Sequence, residues 1–331
     1  MPKRVLITGG CGFIGHHVVE HILKNTDWEV VVWDKLSYAS GGFDRLRDID
    51  AFDDRRVTIL GVDFSQPIEP GIVSETGPLN YILHLGAETH VDRSIRDAAP
   101  FVTANVMGTL RVLEYARDHQ PDLEKFVYFS TDEVFGPAPE DIEYDEWDCY
   151  RSSNPYAASK AGGEEMAIAF ENTHGVPVIV THTMNAFGER QHPEKFIPMV
   201  IRQVRDGEKV TIHANADRTE AGSRFYIHAR NVADALLFLL DLGEVGDKYN
   251  IVGEQEVDNL DLALTIALSV GNPLKYEMVD FHSSRPGHDL RYALDGTKMS
   301  ELGWEPPKTL QASLAKTVRW MLDHPRWLEV A

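Results

Sequence analysis

Six short apolar runs alternate along the first half of the chain with longer stretches of helical periodicity. The runs are rich in β-branched residues and read RVLITG, EVVVWD, VTILGVD, YILHLGA, KFVYFST and VPVIVTHT. Between them lie HHVVEHILKN, TANVMGTLRVLEYARDH and YAASKAGGEEMAIAFEN, which show helical patterns. Near-continuous apolar strands joined by helical crossovers predict an α/β fold with a doubly wound parallel sheet.

A glycine-rich turn follows the first run, within VLITGGCGFIGHHVVEHIL. Its Gly9, Gly12 and Gly15 lie between a predicted strand and a predicted helix, where glycines let the backbone approach a pyrophosphate that rests on the helix N-terminus. Asp34 ends the second run about 20 residues further on, where a carboxylate can hold both ribose hydroxyls and repel a 2′-phosphate. These residues predict a Rossmann-like sheet that binds NAD rather than NADP. For Asp34 the alternative is an ordinary solvated acid at a strand end.

The third run ends in Asp63 and Phe64, which we expect to flank the adenine; a plain turn would look the same. After residue 186 the pattern becomes irregular and richer in Pro, His and Arg. We therefore expect an NAD-binding Rossmann domain over 1–186 and a smaller C-terminal substrate domain over 187–331. A later segment, roughly 224–252, is expected to return to the first domain, and ligands should bind at the carboxyl ends of the strands.

The net charge and the cysteines indicate which binding partners and which cellular compartment to expect. The 331 residues have a formal net charge of −20, so nucleic acid and anionic membrane surfaces are poor partners. The two cysteines are Cys11, inside the glycine-rich turn, and Cys149, a pattern that makes a structural disulfide unexpected. The segment MPKRVLITGG enters a strand pattern directly, without a signal-peptide pattern, and no apolar run is long enough to span a bilayer. We expect a cytoplasmic protein and predict no metal site.

Tyr156 and Lys160 stand four residues apart in NPYAASKAGGEEM and therefore share one helix face. A phenol with a pKa near 10 is a poor base at neutral pH. An ammonium group one turn away, together with a nicotinamide cation, would stabilise the phenolate and lower that pKa. The pair alone is weak evidence, but the upstream glycine turn and the intervening Ser130 and Thr131 make it specific for hydride-transfer chemistry at a secondary alcohol.

Asp132 and Glu133 follow the apolar run KFVYFST without a break. Repulsion between two carboxylates in a partly desolvated pocket raises one pKa and holds a proton there. One neutral and one ionised carboxyl group can then act as acid and base in an elimination. A helix N-cap is the alternative, since Ser-Thr-Asp-Glu is a good capping sequence, although VFGP follows where a helix should continue.

Five further segments, HLGAETHVDRSI, STDEVFG, NPYAASKA, HPEKFIPMVI and SRPGHDLRYALD, occur in this order. With the glycine turn they make the chain resemble the extended short-chain dehydrogenase/reductase family, and within it the nucleotide-sugar 4,6-dehydratases, over nearly its whole length. The resemblance implies that an NDP-hexose, with dTDP-glucose expected first, loses water to give a 4-keto-6-deoxy sugar while NAD stays bound. A UDP or other nucleotide remains open.

The resemblance also implies a role for each catalytic side chain. Thr131 hydrogen-bonds the C4 oxygen, and Tyr156 takes the C4 proton while C4 passes hydride to NAD. Asp132 protonates the departing C6 hydroxyl and Glu133 removes the C5 proton, before the hydride returns to C6. Lys160 supports Tyr156 and bonds the nicotinamide ribose.

The binding residues follow from the same correspondence. The cofactor residues so implied are Gly9, Gly12, Phe13, Ile14, Gly15, Asp34, Lys35, Leu36, Ser37, Asp63, Phe64, Leu85, Gly86, Ala87, Tyr156 and Lys160. The substrate residues so implied are Thr89, Asn185, Glu194, Lys195, Phe196, Arg224, Gln255, Arg285, His288 and Tyr292. Guanidinium groups suit a diphosphate because their planar fork binds it through two hydrogen bonds.

Some positions depart from the family pattern. Gly86 and Ala104 stand where the family has alanine and threonine, and Gln255 replaces an asparagine that holds the nucleotide. Extra residues precede Arg224, and NAFGERQHPEK differs from the usual segment. Most of these changes lie where the nucleotide and the substrate are expected to bind. The reaction is therefore better defined than the identity of the nucleotide base.

Three other functions remain to be separated from dehydration. A nucleotide-sugar epimerase usually lacks both carboxylates, and a UDP-glucuronate decarboxylase usually has serine in place of Asp132. A non-catalytic NAD-binding scaffold would not need Thr131, Tyr156 and Lys160 together. The resemblance further implies a homodimer, in which ANVMGTLRVLEYARDH and the helix with Tyr156 pack against a partner.

Overall fold

The computed structural model describes residues 2–281 and 290–329. In chain order the described strands are β1 (Arg4–Thr8), β2 (Glu29–Asp34), β3 (Val57–Gly61), β4 (Tyr81–His84), β5 (Lys125–Thr131), β6 (Val178–Thr183), β7 (Asn185–Phe187), β8 (Lys209–Ala214), β9 (Ser223–His228), β10 (Lys248–Ile251), β11 (Glu256–Asp258) and β12 (Lys275–Asp280). Seven of them form the main sheet in the order β10-β6-β5-β4-β1-β2-β3, and every neighbouring pair is parallel. The predicted doubly wound parallel sheet is confirmed.

Helices cover both faces of this sheet. The described α-helices are α1 (Phe13–Asn25), α2 (Asp44–Asp48), α3 (Pro70–Thr76), α4 (Val91–Arg96), α5 (Ala99–Phe101), α6 (Gly108–His119), α7 (Pro155–His174), α8 (Phe196–Arg205), α9 (Ala229–Leu242), α10 (Asn259–Val270), α11 (Thr297–Glu301) and α12 (Leu310–Asp323). A π-helical segment, Val102–Met107, joins α5 to α6, and 3₁₀ turns span Asp132–Phe135 and Pro325–Trp327. The stretch TANVMGTLRVLEYARDH, read as one helix, is thus most of the π segment followed by α6.

The strands bury alternate residues on opposite faces, as the period of a strand requires. In β1, Val5 and Ile7 pack with α1 and α9, whereas Leu6 packs with α6 and α7. All three side chains are fully buried. Burying such a side chain completely contributes roughly 1.5–3 kcal/mol. The two apolar layers explain why the sequence shows nearly continuous apolar runs rather than alternation.

Helix α7 has clear start and stop signals in the sequence. Its N-cap is Asn154, whose side-chain oxygen accepts a hydrogen bond from the Ala157 N–H, and Pro155 occupies the first turn. Gly175 ends the helix in the left-handed conformation at φ 69°. These signals fix which residues of α7 face the sheet.

The remaining elements build a smaller unit beside the carboxyl ends of the main strands. Strands β7, β9 and β11 form one sheet and β8 pairs with β12, around an apolar core shared with α8, α10 and α12. Strand β10 instead pairs with β6 in the main sheet, and α9 packs on α1. The domain limits 1–186 and 187–331 remain a prediction. Within 2–281 and 290–329, none of the helices has both the length and the hydropathy required to cross a bilayer.

Candidate active site

A cavity of about 350 Å³ opens at the carboxyl ends of the main strands, where the strand order reverses between β1 and β4. Of the predicted cofactor residues it contains Gly9, Gly12, Phe13, Ile14, Gly15, Asp34, Lys35, Ser37, Phe64, Leu85, Gly86, Ala87, Tyr156 and Lys160. Of the predicted catalytic and substrate residues it also contains Thr131, Asp132, Glu133, Thr89, Asn185, Glu194, Lys195 and Phe196. Residues far apart in the sequence therefore meet in one space.

Some predicted residues do not line this cavity. Asp63 is exposed and accepts hydrogen bonds from the Ser65 N–H and hydroxyl, so it shapes a turn. Leu36 is exposed, and its N–H donates to Asp34. Gln255 is exposed in the turn that precedes β11. These three residues lie outside the cavity lining, and their binding roles stay predictions.

Arg224 and Tyr292 are not among the residues that line the cavity, and they contact each other. The guanidinium carbon is 4.7 Å from the Tyr292 ring centre, and Nη1 donates to the Ser223 and Leu290 carbonyls at 2.6 Å each. The positive charge of Arg224 still acts on Asp132 and Glu133, since it lowers the pKa of both. The other two predicted substrate residues, Arg285 and His288, lie outside the described residues.

The glycine turn has the close contacts that a phosphate cradle needs. Gly9 has φ 72°, and a Cβ on it would lie 2.8 Å from the Gly86 Cα. A Cβ on Gly15 would lie 2.2 Å from the Gly9 carbonyl oxygen. Gly12 is the N-cap of α1 and offers no side chain to the first-turn N–H groups. Those N–H groups are left for an anion, so the turn fits a dinucleotide pyrophosphate.

Asp34 is held in place at the far end of the same crevice. Its carboxylate accepts hydrogen bonds from the Cys11 N–H at 3.0 Å and the Leu36 N–H at 2.7 Å. Burial raises its pKa, and these two bonds oppose that rise. Cys11 itself is buried and, like the exposed Cys149, is a free thiol. A fixed carboxylate at this strand end fits a ribose diol.

Phe64 explains one departure from the family pattern. A Cβ on Gly86 would lie 2.5 Å from the Phe64 ring, and one on Gly108 would lie 2.9 Å from it. The phenylalanine ring therefore occupies the volume that an alanine methyl at position 86 would require. Glycine at this position and phenylalanine at position 64 belong together, on the wall of the cavity.

The acidic pair begins a short turn directly after β5. Thr131 is the N-cap of the 3₁₀ turn Asp132–Phe135, and its Oγ1 accepts from the Glu133 N–H at 3.4 Å. The capping alternative is thus realised through the threonine hydroxyl. Thr131 also donates to Asp132 Oδ1 at 2.9 Å, whereas the buried Oδ2 has no hydrogen-bond partner among the described residues. The carboxylates themselves are left for the cavity.

Both carboxyl groups have raised pKa values. Burial raises the pKa of Asp132 to about 6, against the opposing effect of the Thr131 hydrogen bond. Burial and the neighbouring Asp132 raise the pKa of Glu133 to about 7, against the Asn154 hydrogen bond. The expectation of a proton held by the pair agrees with these directions. The two neighbouring carboxyl groups titrate as a pair and can share one proton.

Tyr156 and Lys160 lie in the same cavity on the buried face of α7. Burial and then Glu133 raise the pKa of Tyr156, and the Thr131 hydroxyl opposes this. Burial lowers the pKa of Lys160 to about 7. In the chain without cofactor, burial and Glu133 thus hold the Tyr156 pKa high, and the lowering expected from Lys160 together with a nicotinamide cation stays a prediction.

Asn154 is a site residue that the sequence analysis missed. Its Nδ2 donates to Glu133 Oε2 at 2.9 Å, while its oxygen caps α7. The Asn-Pro start of the helix was the available signal, but it indicates only the cap.

Glu194, predicted to bind substrate, lines the cavity, with His90 at 3.4 Å and His192 at 3.5 Å from its carboxylate.

Taken together, the parallel sheet, the glycine turn at its switch point and the Tyr156–Lys160 pair define a Rossmann-type dinucleotide-binding enzyme. A family model described as the NAD dependent epimerase/dehydratase family matches residues 5–252. The chain belongs to this family.

Individual relatives cover almost the whole chain. A dTDP-glucose 4,6-dehydratase of Escherichia coli is 36% identical over 348 residues, with 98% of this chain and 94% of that protein covered. The structure of a dTDP-glucose 4,6-dehydratase from Streptomyces venezuelae with NAD bound has a TM-score of 0.89 at 35% identity and covers 99% of both chains. A UDP-glucose 4-epimerase of Thermus thermophilus in complex with NAD has a TM-score of 0.85 at 27% identity, with 97% of this chain and 99% of that chain covered.

Proposed function

We propose that this chain is an NAD-dependent nucleotide-sugar 4,6-dehydratase, a hydro-lyase that takes dTDP-glucose as its preferred substrate. One observation carries the proposal. The buried Asp132–Glu133 pair, with both pKa values raised, lies in one cavity with Thr131, Tyr156 and Lys160. Oxidation and reduction at one carbon need only the last three residues, whereas loss of water across C5 and C6 also needs an acid and a base.

The described residues fit NAD as the resident cofactor. The glycine cradle and the uncapped N-terminus of α1 suit the pyrophosphate, and Asp34 suits an unphosphorylated ribose. When bound, NAD supplies the hydride acceptor and donor that this chemistry needs. Lys160 would hold the nicotinamide ribose, since its ammonium lies in the cavity one helical turn from Tyr156.

Thr131 and Tyr156 act at the sugar C4 hydroxyl. Because Thr131 donates its proton to Asp132 and accepts from the Glu133 N–H, its one remaining lone pair accepts from a hydroxyl in the cavity. Tyr156 takes the C4 proton as a phenolate, a form that the chain alone disfavours. Positive charge from Lys160 and from the bound cofactor must therefore lower its pKa during the reaction.

Asp132 and Glu133 divide the elimination. The unbonded Oδ2 of Asp132 is free to hold a proton and donate it to the C6 hydroxyl. Glu133, oriented by Asn154, takes the C5 proton as a carboxylate. With the sugar bound, the pair must hold its shared proton on Asp132 and leave Glu133 ionised. A base with a pKa of about 7 is well matched to work at neutral pH.

Arg224 and Lys195 supply positive charge on the substrate side of an acidic protein. Lys195 lines the cavity as the N-cap residue of α8, and the charge of Arg224 lowers the pKa of both carboxyl groups. A nucleoside diphosphate needs such charges against a net charge of −20. Arg224 would reach the diphosphate by exchanging its backbone-carbonyl contacts for phosphate oxygens.

The test is incubation of purified protein with dTDP-glucose, UDP-glucose and UDP-glucuronate, followed by the absorbance of the product in alkali. A 4-keto-6-deoxy product from dTDP-glucose, formed faster than from UDP-glucose, supports the proposal. Formation of the C4 epimer without loss of water would indicate an epimerase, and carbon dioxide from UDP-glucuronate would indicate a decarboxylase.

We further propose that the protein is a homodimer through the π segment, α6 and α7, the helix that carries Tyr156, together with α4, which packs on α7. Three large apolar side chains are exposed there: Ile95 at 41%, Val102 at 48% and Met107 at 39%. Light scattering should give a dimer for wild type and a monomer for Val102→Glu combined with Met107→Glu. Leu268→Glu on α10 is the control, since Leu268 is 84% exposed but lies outside this surface. A monomeric wild type contradicts the proposal.

A further inference from the structure

His84, the last residue of β4, lies fully buried between two threonine hydroxyls. Its Nδ1 is 2.8 Å from Thr8 Oγ1, at the end of β1, and its Nε2 is 3.1 Å from Thr109 Oγ1, in the first turn of α6. Thr8 directly precedes the glycine cradle. The imidazole thus joins the strand that leads into the cofactor crevice to a helix on the sheet face.

The direction of every hydrogen bond around the imidazole can be assigned. Thr109 Oγ1 lies 2.6 Å from the Asn105 carbonyl, which can only accept, so the threonine proton points there. His84 Nε2–H must then donate to Thr109, and Nδ1 must accept from the Thr8 hydroxyl. Thr8 in turn accepts from the Gly86 N–H at 3.0 Å. Because burial disfavours a charged imidazole, His84 is neutral, with its proton on Nε2.

Beyond Asn105 the hydrogen-bond chain continues into the catalytic helix. Asn105 Nδ2 donates to Ser159 Oγ at 2.9 Å, and Ser159 Oγ donates to the Tyr156 carbonyl at 2.7 Å. The same amide holds Glu88 at both its N–H, 2.8 Å, and its carbonyl, 3.0 Å. Asn105 lies in the π segment, whose wider turn is a common feature at functional sites.

The surroundings of His84 leave no route for a second proton. Burial, and next the charge of Lys160, lower its pKa to about 3. The rings of Phe64, Phe126 and Tyr128 surround it at 5.3, 6.1 and 6.0 Å between ring centres. A buried polar network in which every member is bonded is rigid, and a single unpaired member is costly.

We propose that His84 is a positioning residue. It links the protein backbone at Gly86, beside the cofactor crevice, to the turn of α7 that carries Tyr156. Gly86 packs against the cradle, since a Cβ on Gly9 would lie 2.8 Å from the Gly86 Cα. Both ends of the hydrogen-bond chain thus touch groups that must meet for hydride transfer. This role rests on the proposed dehydratase function.

The kinetic test compares two substitutions at Thr109. Thr109→Val keeps the shape but removes the hydroxyl that joins His84 to Asn105, whereas Thr109→Ser keeps the hydroxyl. A displacement near 1 Å can cost on the order of 10²-fold in rate, so Thr109→Val should lower kcat at least ~10-fold. Its KM for the sugar and its content of bound NAD should stay near wild type, and Thr109→Ser should recover most of kcat. Equal kcat values for the two variants would overturn the role, whether both values fall or both stay at the wild-type level.

The same comparison can be made at Thr8, which bonds His84 next to the glycine cradle, with the matched variants Thr8→Val and Thr8→Ser. These variants provide the test if Thr109→Val does not fold. The valine variant should again lose kcat and the serine variant keep it. If neither Thr8 variant changes kcat, the hydrogen-bond chain has no positioning role.

A spectroscopic test does not depend on which reaction the protein catalyses. Nitrogen-15 NMR of histidine-labelled protein should show, for the ring assigned to His84, a proton fixed on Nε2 and no titration between pH 5 and 8. Loss of a signal in His84→Gln assigns it to His84, and a shift of the same signal in Thr109→Val assigns it should His84→Gln not fold. If the signal assigned to His84 shows the proton on Nδ1, or if it titrates in this range, the proposal is contradicted. Absence of dehydratase turnover in wild type, with this signal present, would refute the function alone.

Discussion

Asn154 caps α7 with its side-chain oxygen and donates its Nδ2 to Glu133 Oε2 at 2.9 Å. One side chain therefore fixes the start of the helix that bears Tyr156 and the orientation of the carboxylate that faces the sugar. The helix and the acidic turn come from separate parts of the chain, and this amide couples their positions.

Substitutions at Asn154 should separate these two contributions. Asn154→Ala removes the cap and should lower the free energy of unfolding by about 1 kcal/mol, whereas Asn154→Ser keeps a capping oxygen and should restore most of it. Both variants lose the donor to Glu133, so the Glu133 pKa, already raised to about 7, should rise further. Because a base works only when ionised, the acidic limb of the pH–rate profile should move to higher pH in both. Urea unfolding and pH profiles measure the two effects, and an unchanged acidic limb in the serine variant would contradict the role of Asn154.

Lys160→Met should depress activity at neutral pH and shift the optimum upward. Removing the ammonium raises the pKa of Tyr156 further from its usual value, which burial and Glu133 already raise. Lys160→Arg, which keeps a positive charge, is the matched control and should shift the profile less. Bound NAD is measured in parallel, since Lys160 would also hold the ribose. A Lys160→Met profile that coincides with wild type would mean that another group tunes the tyrosine.

Gly86 and Phe64 should behave as a coupled pair. Gly86→Ala alone places a methyl group 2.5 Å from the Phe64 ring, and overpacking of this kind costs about 1–3 kcal/mol. The variant should unfold at lower urea and retain less NAD on purification. Adding Phe64→Val should recover both properties. Gly71→Ala in α3, where a Cβ meets nothing within 4 Å, is the control and should behave as wild type. Additive effects of the two substitutions would show that the positions are independent.

Much of the fold could be predicted from the sequence because its signals are local. Apolar β-branched runs define β1 to β6, and Gly9, Gly12 and Gly15 mark the crevice by the backbone conformations they permit. The acidic doublet and the Tyr156–Lys160 spacing locate the chemistry, since four residues make one helical turn.

The contacts that tune the site could not be predicted in the same way. His84 meets Thr8 and Thr109 only after three elements pack, and a strand histidine by itself indicates nothing about a tautomer. Asp63 has the spacing of an adenine contact, but a turn with Ser65 uses its carboxylate. The Tyr156 pKa depends on burial and on Glu133, and neither can be predicted from the i, i+4 spacing of Tyr156 and Lys160.

Asp132→Asn tests the general acid. The amide keeps the size of the side chain and its bond to Thr131 but cannot donate a proton, so dehydration should slow by about 10²–10⁴-fold. Content of bound NAD should equal that of wild type, because Asp132 lies on the sugar side of the cavity. Alkaline absorbance of the 4-keto-6-deoxy product measures the rate. Dehydration at the wild-type rate would show that the acidic pair only shapes the turn and takes no part in the reaction.

The central claim is that Glu133 removes the sugar C5 proton, and the most direct measurement is deuterium at C5 after reaction in deuterated water. Wild type should give a 4-keto-6-deoxy product in which solvent deuterium occupies C5, because the abstracted proton exchanges on the carboxyl group before it returns. Glu133→Gln should show neither product nor C5 exchange beyond about 1% of the wild-type rate. Exchange at C5 that persists in Glu133→Gln, or a wild-type product without deuterium at C5, would contradict the account.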